Sequence, residues 1–119
     1  MKKIKSIEEA FQVAECPQVD FSAFPENKRT YFEGQYNAVV MTEAINDGWV
    51  ADYSNPNQKK WFPVFRADSS SPSGFVFYSS GYRCSSAYAG DASRLSFESE
   101  AASDYAGQKF TEIYAGIIK

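Results

Sequence analysis

Apolar residues recur at three- and four-residue intervals in two long stretches of this 119-residue chain and alternate in a third. In the first stretch Phe32, Tyr36, Val39, Val40 and Ala44 fall near helical spacing. Pro25 and Glu26 suit a helix start, and Asn46-Asp47-Gly48 suits its end, because Gly adopts the left-handed conformation that closes a helix. In the second, Ala102, Tyr105, Ala106, Phe110, Ile113, Tyr114 and Ile117 form an amphipathic stripe behind a Ser99 cap. A shorter helix opens the chain. Ser6 and Glu9 have the spacing of a capping box, and Pro17 ends that helix near Glu15. Val19 to Phe24 then links to the next helix, with Phe21 and Phe24 as core anchors.

Three strands are predicted between the helices. Trp61 to Arg66 is the first, with Pro63 marking an edge or a bulge, since proline donates nothing to a ladder. Ala67 to Gly74 makes a turn, and Phe75 to Ser80 is the second strand. Arg94 to Glu98 alternates, with Leu95 and Phe97 on one face, and is read as the third. The expected fold is a single α+β domain over residues 1–119, in which three helices and a short three-stranded antiparallel sheet follow the order ααβββα. Gly107 costs the last helix about 1 kcal/mol relative to Ala, so a close approach of that helix to the sheet is expected there. Tyr-Ala-Gly occurs at 88–90, 105–107 and 114–116, but the spacings match no repeat architecture.

Composition narrows the chemistry. The chain has no histidine, which removes Ser-His-Asp and Cys-His catalysis and ordinary zinc sites. There is no phosphate loop, dinucleotide fingerprint or nucleophile elbow. Asp52, Ser54 and Asn57 fall short of a calcium loop, because Pro56 interrupts the ligand alternation. Cys16 and Cys84 are expected as free thiols, no cofactor is expected, and no stretch has the length and apolarity of a membrane span. The amino terminus turns acidic at Glu8-Glu9 before an apolar run forms, so a cytoplasmic location is expected. The net charge of −3 is uneven: residues 59–96 carry five basic and two acidic side chains, whereas the flanks are acidic. Aromatic residues make up 17% of the chain, which places many rings beside that basic segment.

These features favour recognition over catalysis. Both tryptophans, Trp49 and Trp61, flank the polar loop Asp52 to Lys60, and they are expected to approach one another or to share neighbours. The candidate binding residues are Trp49, Asp52, Asn55, Asn57, Lys59, Lys60, Trp61, Arg83, Tyr88 and Arg94, drawn from that loop and from Gly81 to Ser93. A protein is the favoured partner. Single-stranded nucleic acid is the alternative, with Lys59 and Lys60 on phosphates and a ring stacked on a base. A small anionic ligand held by Arg83 or Arg94 against an aromatic wall is another, and an enzyme working without histidine is the least favoured.

Glu43-Ala44-Ile45-Asn46-Asp47-Gly48-Trp49, Asp52 to Asn55, Asn57 to Pro63, Ser93 to Ser99 and Tyr105-Ala106-Gly107 together resemble a family of small proteins from gut Bacteroidetes and their phages. The resemblance covers roughly residues 36 to 114, with Ile45 and Val64 as departures from its pattern. It implies a phage or mobile-element setting and a binding role toward host or phage components. It brings no catalytic activity with it.

Overall fold

The computed structural model describes residues 1–87, 89 and 93–119. Its described residues form four helices and one two-stranded antiparallel sheet: α1 (Ile7–Val13), α2 (Glu26–Asn46), β1 (Lys60–Ala67), β2 (Phe75–Arg83), a 3-10 turn (Ser93–Leu95), α3 (Glu100–Lys109) and α4 (Thr111–Ile118). The radius of gyration, 14.0 Å, is close to the roughly 13.5 Å expected of one folded unit of this length.

Local signals set most helix ends. Ser6 Oγ accepts from Glu9 N at 3.1 Å, while the Glu9 carboxylate reaches back to Lys5 N at 3.1 Å. The first helix stops at Val13, and Glu15 turns left-handed before Pro17. Asp47 and Gly48 both have positive φ, +50° and +97°, and reverse the chain behind α2. Ser99 Oγ accepts from Ala102 N at 3.1 Å and caps α3.

The core lies among α1, the second half of α2, α3 and α4, around Ile4, Phe11, Met41, Ile45, Phe97, Phe110 and Tyr114. Phe21 and Phe24 stand outside this core, half-buried, in ring contact with the exposed Phe32 and with Tyr36 at the core's margin. The amino terminus is docked through Ile4, which is 1% exposed. Tyr105 Oη donates to Ile4 O at 2.5 Å, and Lys2 N donates to Ile45 O at 2.9 Å.

Two expectations are corrected here. The segment Arg94 to Glu98 is not a third strand: it touches β1 at one bridge only, where Trp61 and Phe97 exchange hydrogen bonds of 2.9 and 2.7 Å. The next such pair along this edge would need the amide proton of Pro63, which does not exist, so the ladder ends after one step. The Asn46 side chain holds the segment from its other side, with Nδ2 donating to Ser96 O at 2.8 Å and Oδ1 accepting from Glu98 N. The last helix is also two. Phe110, with φ −117° and ψ 33°, separates α3 from α4. Thr111 Oγ1 donates to Gly107 O at 2.7 Å across the break. The buried row Ala102, Ala106, Phe110 and Tyr114 nevertheless continues through it. The turn lets α4 lie along α2, where Gly34 packs within ordinary contact of Gly116 and Ile117.

The expected close approach at Gly107 is present. A Cβ there would stand 2.4 Å from Phe77 Cδ1 and 2.9 Å from Pro63 Cβ, so only glycine lets α3 rest on the hairpin. Ser80 Oγ joins the same contact, 2.7 Å from Ser103 Oγ and 2.6 Å from the Asp104 carboxylate.

Candidate functional site

The hairpin has two unlike faces. Pro63 and Phe77 lie against α3, and Phe65 stacks on Tyr114 of α4 at 5.0 Å between ring centres. By strand alternation Phe62, Val64 and Arg66 of β1 belong to the opposite face; Arg66 is exposed there, while Phe62 and Val64 are half-buried and Phe62 also borders a cavity with Phe65 and Tyr114. The strands pair in register from Lys60↔Arg83 to Val64↔Ser79 and again from Phe65↔Phe77 to Ala67↔Phe75. Tyr78 is the residue left without a partner between these runs. Such a bulge re-aims a side chain out of the pleat, and Tyr78 is 53% exposed.

Cations stack on the rings of this ribbon. The Arg66 guanidinium carbon lies 3.6 Å from the centre of the Tyr78 ring, and that of Arg83 lies 4.1 Å from the centre of Phe62. Lys59 Nζ stands 4.7 Å from the centre of Tyr82, whose ring also meets Trp61 at 4.9 Å. Phe62 rests directly over Gly81, where a Cβ would approach its Cζ to 3.0 Å. Between Lys60 and Arg83 the sole acidic residue is Asp68, in the turn. The hairpin is therefore a basic, aromatic strip on an acidic protein.

The loop before β1 is built differently. Asp52 Oδ1 accepts from Ser54 N at 2.9 Å and from Ser54 Oγ at 2.5 Å, and Asn55 Oδ1 accepts from Asn57 N at 2.9 Å. Gln58 Oε1 accepts from Asp52 N at 2.6 Å and its Nε2 donates to Val50 O at 3.1 Å. Lys60 is entirely buried. Its ammonium donates to Asn55 O at 2.8 Å and to Cys84 O, and lies 4.9 Å from the Tyr53 ring centre. A lysine held in this way ties the loop to the end of β2, so of the two lysines assigned to phosphate only Lys59 is at the surface.

The Asp52 turn has two sequence relatives, at Asp20-Phe21-Ser22 and Asp68-Ser69-Ser70. Hydrogen bonds from the serine two residues on hold all three carboxyls below their usual value of 3.8; the backbone bond leads at Asp20 and the hydroxyl bond leads at Asp52 and Asp68. A lowered folded pKa stabilises the protein above the unfolded value and loses that contribution as pH falls through the folded one. Stability is accordingly expected to fall as pH drops below about 4, and Ser54→Ala is expected to make that fall shallower. Acid limbs of melting temperature that superimpose for both proteins would contradict the assignment.

A groove of about 290 Å³ opens beside the end of α2, lined by Val39, Thr42, Glu43, Asn46, Trp49, Val50, Ala51 and Arg94. The structure thus brings Trp49 and Arg94 together, whereas Lys59, Trp61 and Arg83 belong to the hairpin and Asp52, Asn55 and Asn57 to the loop's own turns. Among the described residues no ring contact joins Trp49 to Trp61, and the ring against Trp61 is that of Tyr82. Tyr88 lies outside the described residues. The candidate binding residues named from the sequence leave out Phe62, Arg66, Tyr78 and Tyr82 on the hairpin and Glu43 in the groove. The signal for the first four is register: Arg66 pairs with Val76, which puts Tyr78 on its diagonal, within reach of a long side chain.

Among the described residues there is no group of side chains that could hold a metal ion, and no helix long and apolar enough to cross a membrane. Cys16 and Cys84 are free thiols. In comparisons with known proteins, no family model, no curated protein and no solved structure matches the chain.

Proposed function

We propose that this chain is a non-enzymatic recognition protein, of the phage or mobile-element kind that its sequence resembles, and that it binds a host or phage protein through the outer face of its hairpin. The observation that carries this reading is the Arg66–Tyr78 stack: an unpaired bulge residue, half exposed, with a guanidinium 3.6 Å from its ring centre. Rigid aromatic and arginine side chains in contact are the usual anchors of protein interfaces. A stacked guanidinium keeps its in-plane donors for carboxylates, so an acidic segment of the partner fits this strip.

A nucleic-acid reading fits less well. Base stacking needs an open ring face, yet Phe62 lies between Arg83 and Gly81, and Tyr82 contacts both Trp61 and Lys59. The loop of residues 52–60 also gives up its place as the main recognition surface, because so many of its polar groups close its own turns.

The test is co-precipitation from cells of the source organism or its host, with Arg66→Glu and Tyr78→Ala as paired variants. Both are expected to lose the partner recovered with the native chain while keeping its melting temperature. Native binding to mixed single-stranded DNA and RNA at low salt, falling steeply as salt rises, would favour the nucleic-acid reading instead.

A further inference from the structure

The groove at the end of α2 has a chemistry separate from that of the hairpin. Its apolar surface comes from Val39, Val50, Ala51 and the half-buried ring of Trp49. Its inner polar groups are already satisfied: Thr42 Oγ1 donates to Ala38 O at 2.7 Å, and both ends of the Asn46 amide hold the Ser96–Glu98 segment. Two charges remain, Glu43 and Arg94. Both are exposed and line this one groove, and among the described residues neither side chain forms a hydrogen bond or an ion pair. They do not approach each other within ion-pair distance.

We infer that this groove binds a small zwitterion with an apolar body, the chemistry of a free amino acid or a dipeptide. Arg94 takes the carboxylate, Glu43 takes the ammonium, and Trp49 with Val39 and Val50 covers the apolar side chain. An anion alone would leave Glu43 facing a like charge, and a neutral apolar ligand would leave both charges unused. The volume of about 290 Å³ lies near the lower limit of cavities that hold small ligands, roughly 300–1,000 Å³, and so favours occupants of this size.

The experiment is titration calorimetry of the native chain with leucine, phenylalanine and leucyl-leucine, alongside N-acetyl-leucine, which lacks the ammonium, and leucinamide, which lacks the carboxylate. Saturable binding is expected for at least one of the three zwitterions, and weakening by tenfold or more for each blocked form. Glu43→Gln should remove the penalty for acetylation and Arg94→Gln the penalty for amidation, without loss of thermal stability, since both side chains are exposed and have no partner among the described residues. The indole Nε1–H resonance of Trp49, assigned by its loss in Trp49→Phe, should shift with the same affinity. No saturable binding of any zwitterion, equal binding of blocked and free forms, or a Trp49 resonance that does not respond would overturn the assignment.

Discussion

Replacing Lys60 with methionine is expected to destabilise the protein by about 2–4 kcal/mol, although a lysine at a strand entrance looks like the most replaceable of residues. The side chain has no exposed surface, and its ammonium is the shared donor for Asn55 O and Cys84 O beneath the Tyr53 ring. Methionine fills a similar volume but leaves those two carbonyls without their donor, at a cost of about 1–3 kcal/mol for each that water cannot reach. Relief of the ammonium's own desolvation offsets part of that loss. Because the two carbonyls come from the loop and from the residue after β2, the variant should also loosen amide-exchange protection at residues 52–60 before the rest of the chain. A urea midpoint equal to that of the native protein would show that Lys60 is replaceable.

The second large effect is expected at Gly107. Alanine improves helix propensity by about 1 kcal/mol, so a helix considered alone would gain. In this fold the added Cβ would stand 2.4 Å from Phe77 Cδ1 and 2.9 Å from Pro63 Cβ. The proline ring is rigid, and the Phe77 ring lies between Phe65 and α3, so the contact is relieved only by lifting α3 from the hairpin. Overpacking of this kind costs about 1–3 kcal/mol, and Gly107→Ala is expected to be destabilising on balance. Pairing it with Phe77→Leu should recover part of the loss in a double-mutant cycle. An alanine variant more stable than the native chain would mean that the helix and hairpin are not in this contact.

How much of this was legible in the sequence follows from the range of each signal. Both ends of α2 could be read from Pro25 and from Asn46-Asp47-Gly48, because capping and left-handed closure are decided within a few residues. Gly107 was legible as a close approach, since a glycine in the middle of an amphipathic stripe needs a packing reason. The third strand was not. Leu95 and Phe97 alternate with polar residues in the sequence, but Ser96 between them is also buried, and whether such a segment extends a sheet depends on the neighbouring edge, where Pro63 lacks the donor. The break at Phe110 likewise follows from how α4 must turn to reach α2, which no local residue announces.

The candidate sites show the same division. Trp49 and Arg94 were named from composition and do share a groove, but Glu43 could be added only once α2 was placed beside them. Lys59 and Lys60 are adjacent and chemically identical in the sequence. One stacks on a surface tyrosine and the other is the most deeply buried cation of the fold, a difference set by pairing with β2. The Arg66–Tyr78 stack depends on which residues the two strands set opposite one another, and a register slip of one residue would move a side chain from one face of the hairpin to the other.

The central claim, that a protein partner docks on the outer face of the hairpin, is tested most directly by photo-crosslinking from position 78. A photoreactive phenylalanine analogue replaces Tyr78, or as a control the exposed Ala101 on α3, in chain expressed inside host cells. The account predicts one discrete protein adduct from position 78, lost when Arg66→Glu is added, and none from position 101. A nucleic-acid adduct at position 78, the same adduct from both positions, or no adduct at position 78 would contradict it.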